Sequence, residues 1–233
     1  MADTSKTVII TGANGNLGSA VTAAFLEKGY KVIATVAEES MVKDIPAREG
    51  LEVRAVNLAD ETASGSFILS VITKYGKVDG ALLLVGGFAT GDIGATGGAD
   101  LKKQYSLNFE TAYFAARPLF QHMMEQNQGR LVFVGARPAL VAAQGKNLLA
   151  YGLSKSLLFK LAEYLNEAAK GKNVLVTVVV PSTLDTPQNR KSMPDVDPSK
   201  WVKPTALAEI LEFVISDKAA VLRETVLKVY NNA

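Results

Sequence analysis

Thr7-Val-Ile-Ile-Thr-Gly-Ala-Asn-Gly-Asn-Leu-Gly18 decides the fold. Its first five residues read as a strand, glycines follow at 12, 15 and 18, and the pattern from Leu17 to Lys28 predicts a helix. Glycine permits a tight strand-to-helix turn and lets backbone come close to a bound group. The helix N-terminus then offers free N–H groups and a partial positive charge, which suits a phosphate. The spacing is G-x-x-G-x-x-G rather than the more familiar G-x-G-x-x-G. A strand, a glycine turn and a helix in this order point to a dinucleotide, with Gly12, Gly15, Asn16, Leu17 and Gly18 as candidate contacts.

Outward from that unit, short apolar runs alternate with longer amphipathic stretches. Strands are predicted at 7–11, 32–36, 51–57, 79–85, 130–135, 174–180 and 225–230. Helices are predicted at 17–28, 61–75, 100–126, 148–170 and 205–216. Most of the strands are continuously apolar, as parallel strands buried on both faces are. The alternation predicts an α/β fold, a doubly wound parallel sheet of about seven strands with helices on both faces. No linker or repeat interrupts it, so the whole chain, 1–233, reads as one domain. Two segments depart from the pattern: 86–98 holds six glycines and 181–204 holds five prolines. Both follow predicted strands, where open α/β sheets bind ligands, and the second is longer than most connections in a compact domain.

Composition narrows the chemistry. Lys and Arg number 25 against 23 Asp and Glu, a formal net charge of +2, which leaves no electrostatic footprint for nucleic acid. Cysteine is absent, so disulfides, thiolate nucleophiles and cysteine-bound zinc are excluded. The single histidine, His122, lies among Leu119, Phe120 and Met123 and reads as a core residue, and no metal site is expected. The start of the chain lacks a leader pattern, and no apolar run reaches membrane-spanning length. The expectation is a cytoplasmic protein.

Tyr151-Gly-Leu-Ser-Lys155 places a phenol and an ammonium four residues apart, on one helix face. Tyrosine ordinarily titrates near 10, and a nearby cation lowers that value. Such a tyrosine can hand a proton to a substrate atom as a hydride arrives. The expectation is therefore that Lys155 depresses Tyr151. The second strand ends Thr35-Val36-Ala37, followed by Glu38 and Glu39, with no arginine placed to meet a 2′-phosphate. Two carboxylates repel a phosphate, which favours NADH and leaves NADPH possible; the pair also suits a solvated helix start.

Together these residues resemble the short-chain dehydrogenase/reductase family over nearly the whole chain. The glycine turn, the Gly129-Arg-Leu-Val-Phe-Val134 strand, the Tyr151/Lys155 pair and Pro181 fall in that family's order. The resemblance implies Tyr151 as the acid and Lys155 as the ribose-holding residue that lowers its pKa. It implies Pro181, Thr183 and Thr186 beside the nicotinamide, Asn57 and Leu58 beside the adenine, and Gly86 and Gly87 lining the coenzyme. Ala37 stands where an acidic ribose ligand is usual. Asn108 matches the family's helix asparagine, which implies a water-linked proton path to the lysine. The helices at 100–126 and 148–170 resemble those that form a four-helix interface, implying a homodimer or homotetramer.

Where the family carries a catalytic serine after the fifth strand, this chain reads Val134-Gly-Ala136. Within the family it resembles the dihydropteridine reductases, which share Gly-Ala there. Thr183-Leu-Asp-Thr-Pro-Gln-Asn-Arg-Lys-Ser-Met-Pro194, running on toward Trp201, carries that resemblance most specifically. It implies reduction of quinonoid dihydropterin to tetrahydropterin, with a pterin as the small-molecule partner. Phe88, where that group has a tryptophan, would stack on the ring, and Asn189 in the polar loop would meet the substrate. The family's acidic residue after the second strand is missing, and Asn108 is retained where dihydropteridine reductases lack it. A reductase of small carbonyls or quinones and a dinucleotide sensor with little catalysis therefore stay open as alternatives.

Overall fold

The computed structural model describes residues 6–232; the expectation read from the start of the chain falls on residues 1–5 and lies outside them. The elements run β1 (Thr7–Ile10), α1 (Asn16–Glu27), β2 (Lys31–Val36), β3 (Leu51–Ala55), α2 (Glu61–Tyr75), β4 (Gly80–Leu83), α3 (Gly98–Tyr105) and α4 (Thr111–Gln126). They continue through β5 (Gln128–Val134), α5 (Ala142–Gly145), α6 (Leu149–Ala168), β6 (Asn173–Pro181), α7 (Pro187–Ser192), α8 (Pro204–Ile215) and β7 (Val226–Val229).

The seven strands form one parallel sheet in the order β3-β2-β1-β4-β5-β6-β7. Alternate residues along each strand feed two separate cores. Ile9, Ile33, Leu131, Phe133 and Val176 pack with α2, α4 and α6, whose inner faces include Phe67, Ala115 and Leu158. Val8, Ile10, Val32, Ala34 and Val132 pack with α1 and α8 through Phe25, Leu207 and Leu211. Burial on both faces is why the strands read as continuous apolar runs. Because all strands are parallel, the loops after β1, β4, β5 and β6 gather at one end. The order reverses between β1 and β4, the switch point at which such sheets bind ligands.

Two expectations are corrected. The helix predicted at 100–126 is interrupted: Ser106–Glu110 form a π-helical turn in which the Thr111 N–H reaches back five residues to the Ser106 carbonyl. A π turn widens the helix by one residue and re-aims the side chains it carries, and Asn108 sits inside it. The segment at 181–204 is not structureless. Thr186 caps α7, its hydroxyl accepting from the Asn189 N–H, and Pro187 follows in the first turn. Proline there loses no helix hydrogen bond.

Among the described residues no helix is long and apolar enough to cross a membrane, and no group of three His, Cys, Asp or Glu stands ready for a metal ion. His122 is buried on α4.

Candidate active site

The glycine turn is fixed from three sides. Gly12 takes the left-handed conformation, φ +67°, which its neighbours could adopt only with strain. Gly18 has no room for a side chain: a Cβ there would lie 2.1 Å from the Gly12 carbonyl oxygen. The Ala13 N–H donates to the Thr35 carbonyl at 2.9 Å, tying the turn to β2. Thr11, absent from the sequence candidates, supplies the third tie. Its buried hydroxyl accepts from Leu84 N–H at 2.9 Å and Val85 N–H at 3.3 Å, holding the exits of β1 and β4 together. Gly15 caps α1 without any side-chain bond, and no acidic residue occupies the first turn. The N–H groups of that turn are left for a ligand, and the glycine cradle fits a pyrophosphate. Asn16 is exposed as the first residue of α1, and Leu17 follows half-buried.

Around the rim, Ala37, Glu38 and Glu39 are exposed beyond β2. Asn57 is exposed, its side chain accepting from the Ala59 N–H at 3.2 Å, and Leu58 is buried. Pro181 and Thr186 are buried and Thr183 is half-buried at the β6 exit. All these positions lie at or just beyond the carboxyl ends of the strands. Asn14 and Arg48 line a recess of about 260 Å³ between α1 and the segment before β3. Arg48 is a cation near the glycine turn that the sequence reading did not weigh, because it lies well downstream of β2.

The Tyr151/Lys155 pair stands on the first two turns of α6. Lys155 is buried and its ammonium donates to the Val134 carbonyl at 2.9 Å. Burial pulls its pKa down to about 8. Tyr151 keeps part of its surface accessible, yet the protein crowding round it pushes the phenol up to about 12. This corrects the expectation of a depressed tyrosine. Desolvation disfavours both charged forms, and the ammonium is turned to the strand carbonyl. Its hydroxyl makes no hydrogen bond among the described residues.

Asn108 binds the pair to the β4 loop. It is completely buried; its amide donates to the Gly87 carbonyl at 3.0 Å, Gln104 Oε1 at 2.8 Å and Ser154 Oγ at 3.1 Å, and its carbonyl accepts from the Gly87 N–H at 2.9 Å. Ser154 in turn donates to the Tyr151 carbonyl at 2.9 Å. The side chain of Asn108 is thus a clamp on Gly87. Gly86 is glycine for lack of space: a Cβ would lie 2.7 Å from Asn108 Oδ1 and 2.9 Å from Lys155 Nζ. The clamp presents Phe88, 64% exposed, with its ring edge-on to Tyr151 at 5.2 Å between centroids and 69° between planes. The loop is held again at Gly91, whose carbonyl accepts from Leu149 N–H at the start of α6.

Ala136, buried beyond β5, offers no hydroxyl. Asn189 is not directed outward from its loop: its amide donates to the Leu184 carbonyl at 2.8 Å. Arg190 forms a two-point ion pair with Asp185 at 2.6 and 2.9 Å. Sequence reading brought Tyr151, Lys155, Asn108, Gly86, Gly87 and Phe88 to one place, and the structure groups them so. It missed Thr11 and Ser154. A small hydroxyl residue just before a glycine turn, or beside a helical lysine, is a signal only once its distant partner is known.

A family model for short chain dehydrogenase matches residues 6–197. The chain is 29% identical to acetoacetyl-CoA reductase of Acinetobacter sp. (strain RA3849), over 92% of each protein. It is 22% identical to a 3-oxoacyl-[acyl-carrier-protein] reductase of Thermotoga maritima, again over 92% of each. Among solved structures, ElxO with NADP bound superposes with a TM-score of 0.89 at 20% identity, covering 97% of both chains. NAD+-bound xylitol dehydrogenase gives 0.88 at 18% identity, covering 99% of this chain and all of the other. These structural likenesses carry the fold, and the family model, spanning most of the chain, carries the kinship: the protein belongs to the short-chain dehydrogenase/reductase family.

Proposed function

We propose that this protein is an NAD(P)H-dependent reductase of quinonoid dihydropterin, using Tyr151 as proton donor. The observation that carries the reading is Phe88 standing exposed and edge-on to Tyr151; the residue after β5, Ala136, supports it because it has no polarising hydroxyl. A planar conjugated acceptor gains from an aromatic platform. A quinonoid ring is already electron-poor, so it needs no side-chain hydroxyl to draw electron density from an oxygen. A carbonyl substrate needs that help more.

The chain's own residues divide the work. The glycine turn and the open first turn of α1 would hold the coenzyme's phosphates, and Lys155 would hold the nicotinamide ribose. The coenzyme supplies a hydride when bound. Tyr151 gives its proton to the reduced ring nitrogen, which a phenol titrating near 12 holds ready at neutral pH. A cation brought beside the phenolate stabilises it once the proton has left. The Asn108 clamp holds Gly87 in place beside the site. NADH is the preferred coenzyme in this reading, on the carboxylates of Glu38 and Glu39; Arg48 is the residue through which NADPH would be accepted. The protein acts as a homodimer or homotetramer through α4 and α6, in the cytoplasm.

The test is oxidation of NADH or NADPH with freshly generated quinonoid dihydropterin. Turnover well above the spontaneous rate is expected, and background rates alone overturn the reading. A second reading, a reductase of small carbonyls, is favoured by the names of the relatives, acetoacetyl-CoA and 3-oxoacyl reductases. A panel of ketones, quinones and 3-oxoacyl thioesters in the same assay separates the two.

A further inference from the structure

The residues after β7 are tied to three separate parts of the catalytic end. The Tyr230 carbonyl accepts from Ser182 Oγ at 2.8 Å, at the exit of β6. The Arg137 guanidinium lies over the Tyr230 ring, 4.6 Å from its centroid, and Arg137 immediately follows Ala136. Its Nε is buried without a hydrogen-bond partner among the described residues, and the ring face covers the group. Asn231 then turns back in the left-handed region, φ +53°, and its amide donates to the Trp201 carbonyl at 3.1 Å. Trp201 is buried, and beside it the two ends of the β6–α8 loop pair: Val202 N–H donates to the Thr183 carbonyl at 2.9 Å and Asp185 N–H to the Val202 carbonyl at 2.8 Å.

We propose that Tyr230 and Asn231 form a strap that positions the β6–α8 loop for the acceptor, with Arg137 as its anchor beside Ala136. The strap touches neither acceptor nor coenzyme. It fixes the closed base of the loop, so that α7 is carried on a rigid stem over the carboxyl end of the sheet. Three elements far apart in sequence converge on two consecutive residues. One of those residues has a conformation that few residue types adopt without cost; asparagine is among them. A segment serving only to finish a sheet needs neither feature. The acceptor half of this inference rests on the reductase reading above; the loop half does not.

Asn231→Gly tests it, because glycine keeps the left-handed backbone and removes only the side-chain bonds. Trp201 is the single tryptophan of the chain, so its fluorescence reports the loop base without any turnover. The expected result has three parts. Trp201 emission shifts to longer wavelength with stronger acrylamide quenching. Trypsin cuts faster at Arg190 and Lys191. The KM for quinonoid dihydropterin rises roughly three- to tenfold, the worth of about one hydrogen bond, with kcat and the coenzyme dissociation constant as in the wild type. Asn231→Asp, which keeps the size and loses the donor, serves the same readouts should the glycine variant fold poorly. Unchanged Trp201 fluorescence and cleavage overturn the strap. A loosened Trp201 with an unchanged acceptor KM overturns its role at the site. If the wild type reduces no dihydropterin, the functional reading fails while the fluorescence and cleavage still decide the loop half.

Discussion

The glycine-turn end and the Phe88 end of this site are built from different materials. Around the glycine turn the contacts are mostly backbone, joined by the Thr11 hydroxyl: Gly12 in a left-handed turn, Gly18 with no space for a methyl, Ala13 bonded to β2. Around Phe88 and the β6–α8 loop they are side chains reaching across the sequence: Asn108 to Gly87, Asn189 to Leu184, Asn231 to Trp201. Backbone geometry depends on residue type at a few positions and leaves little freedom to change. Side-chain braces leave the surface they support open to substitution. A family can thus keep one coenzyme site and exchange acceptors, as function follows sites rather than folds.

The contrast is broken most severely at the residue the two ends share. Tyr151→Phe removes the proposed proton donor and leaves the ring against Phe88, so the fold and coenzyme affinity should stay. Reduction is expected to fall by about 10²–10⁴-fold, the range for loss of a general acid, measured as kcat in a stopped or continuous NADH assay. Retention of wild-type kcat would remove the tyrosine from the chemistry.

Lys155→Met separates stability from function. Below pH 8 the buried lysine is charged in both folded and unfolded protein, and its desolvation is a cost. Between about 8, its folded-state value, and its ordinary 10.5, the folded protein has released the proton while the unfolded chain keeps it. Wild-type stability therefore rises with pH across that window. The methionine variant is expected to be more stable at pH 7, by up to about 3 kcal/mol less about 1 kcal/mol for the lost bond to Val134. The advantage should shrink between pH 8 and 10.5, and coenzyme binding should weaken. Denaturant midpoints at pH 7 and 10 check it; an advantage that does not change with pH contradicts the buried-charge account.

Gly18→Ala tests the backbone-built end alone. A methyl 2.1 Å from the Gly12 carbonyl oxygen forces α1 away from the turn, at a cost of about 1–3 kcal/mol. Coenzyme affinity should drop with it, whereas the same change at Gly98, where nothing lies within 4 Å, should be neutral. Fluorescence titration with NADH reads both variants.

This division also explains what was legible in the sequence. The strands, the major helices and the glycine turn obey local periods and local conformational rules, so they could be read residue by residue. The π turn at Ser106–Glu110 could not, because a one-residue widening leaves the apolar period almost intact. α7 was overlooked although Thr186-Pro187 is a helix-start signal, since a six-residue helix is too short to show a period. The orientation of Lys155 escaped because i,i+4 spacing fixes a face and says nothing of the Val134 carbonyl beneath it. Thr11, Ser154 and Asn231 act through partners 73, 46 and 30 positions away, and no local pattern announces such bonds.

Ala136→Ser is the smallest expected change and the sharpest between the two readings. Ala136 is buried at the end of β5 in an extended conformation, and serine adds a single oxygen there. A carbonyl acceptor gains a donor to its oxygen as charge develops, which strengthens the transition state more than the ground state. A quinonoid dihydropterin, already electron-poor, gains little. The variant is expected to raise kcat/KM for small ketones by roughly five- to tenfold, the worth of about one hydrogen bond. Its rate with dihydropterin should stay within about twofold of the wild type, less than half a kcal/mol. If ketone reduction is already fast in the wild type and the added hydroxyl does not change it, Ala136 is not what selects the acceptor. The selection then falls to Phe88, and Phe88→Leu, which keeps an apolar surface but loses the ring face, should cost the dihydropterin reaction more than the ketone one.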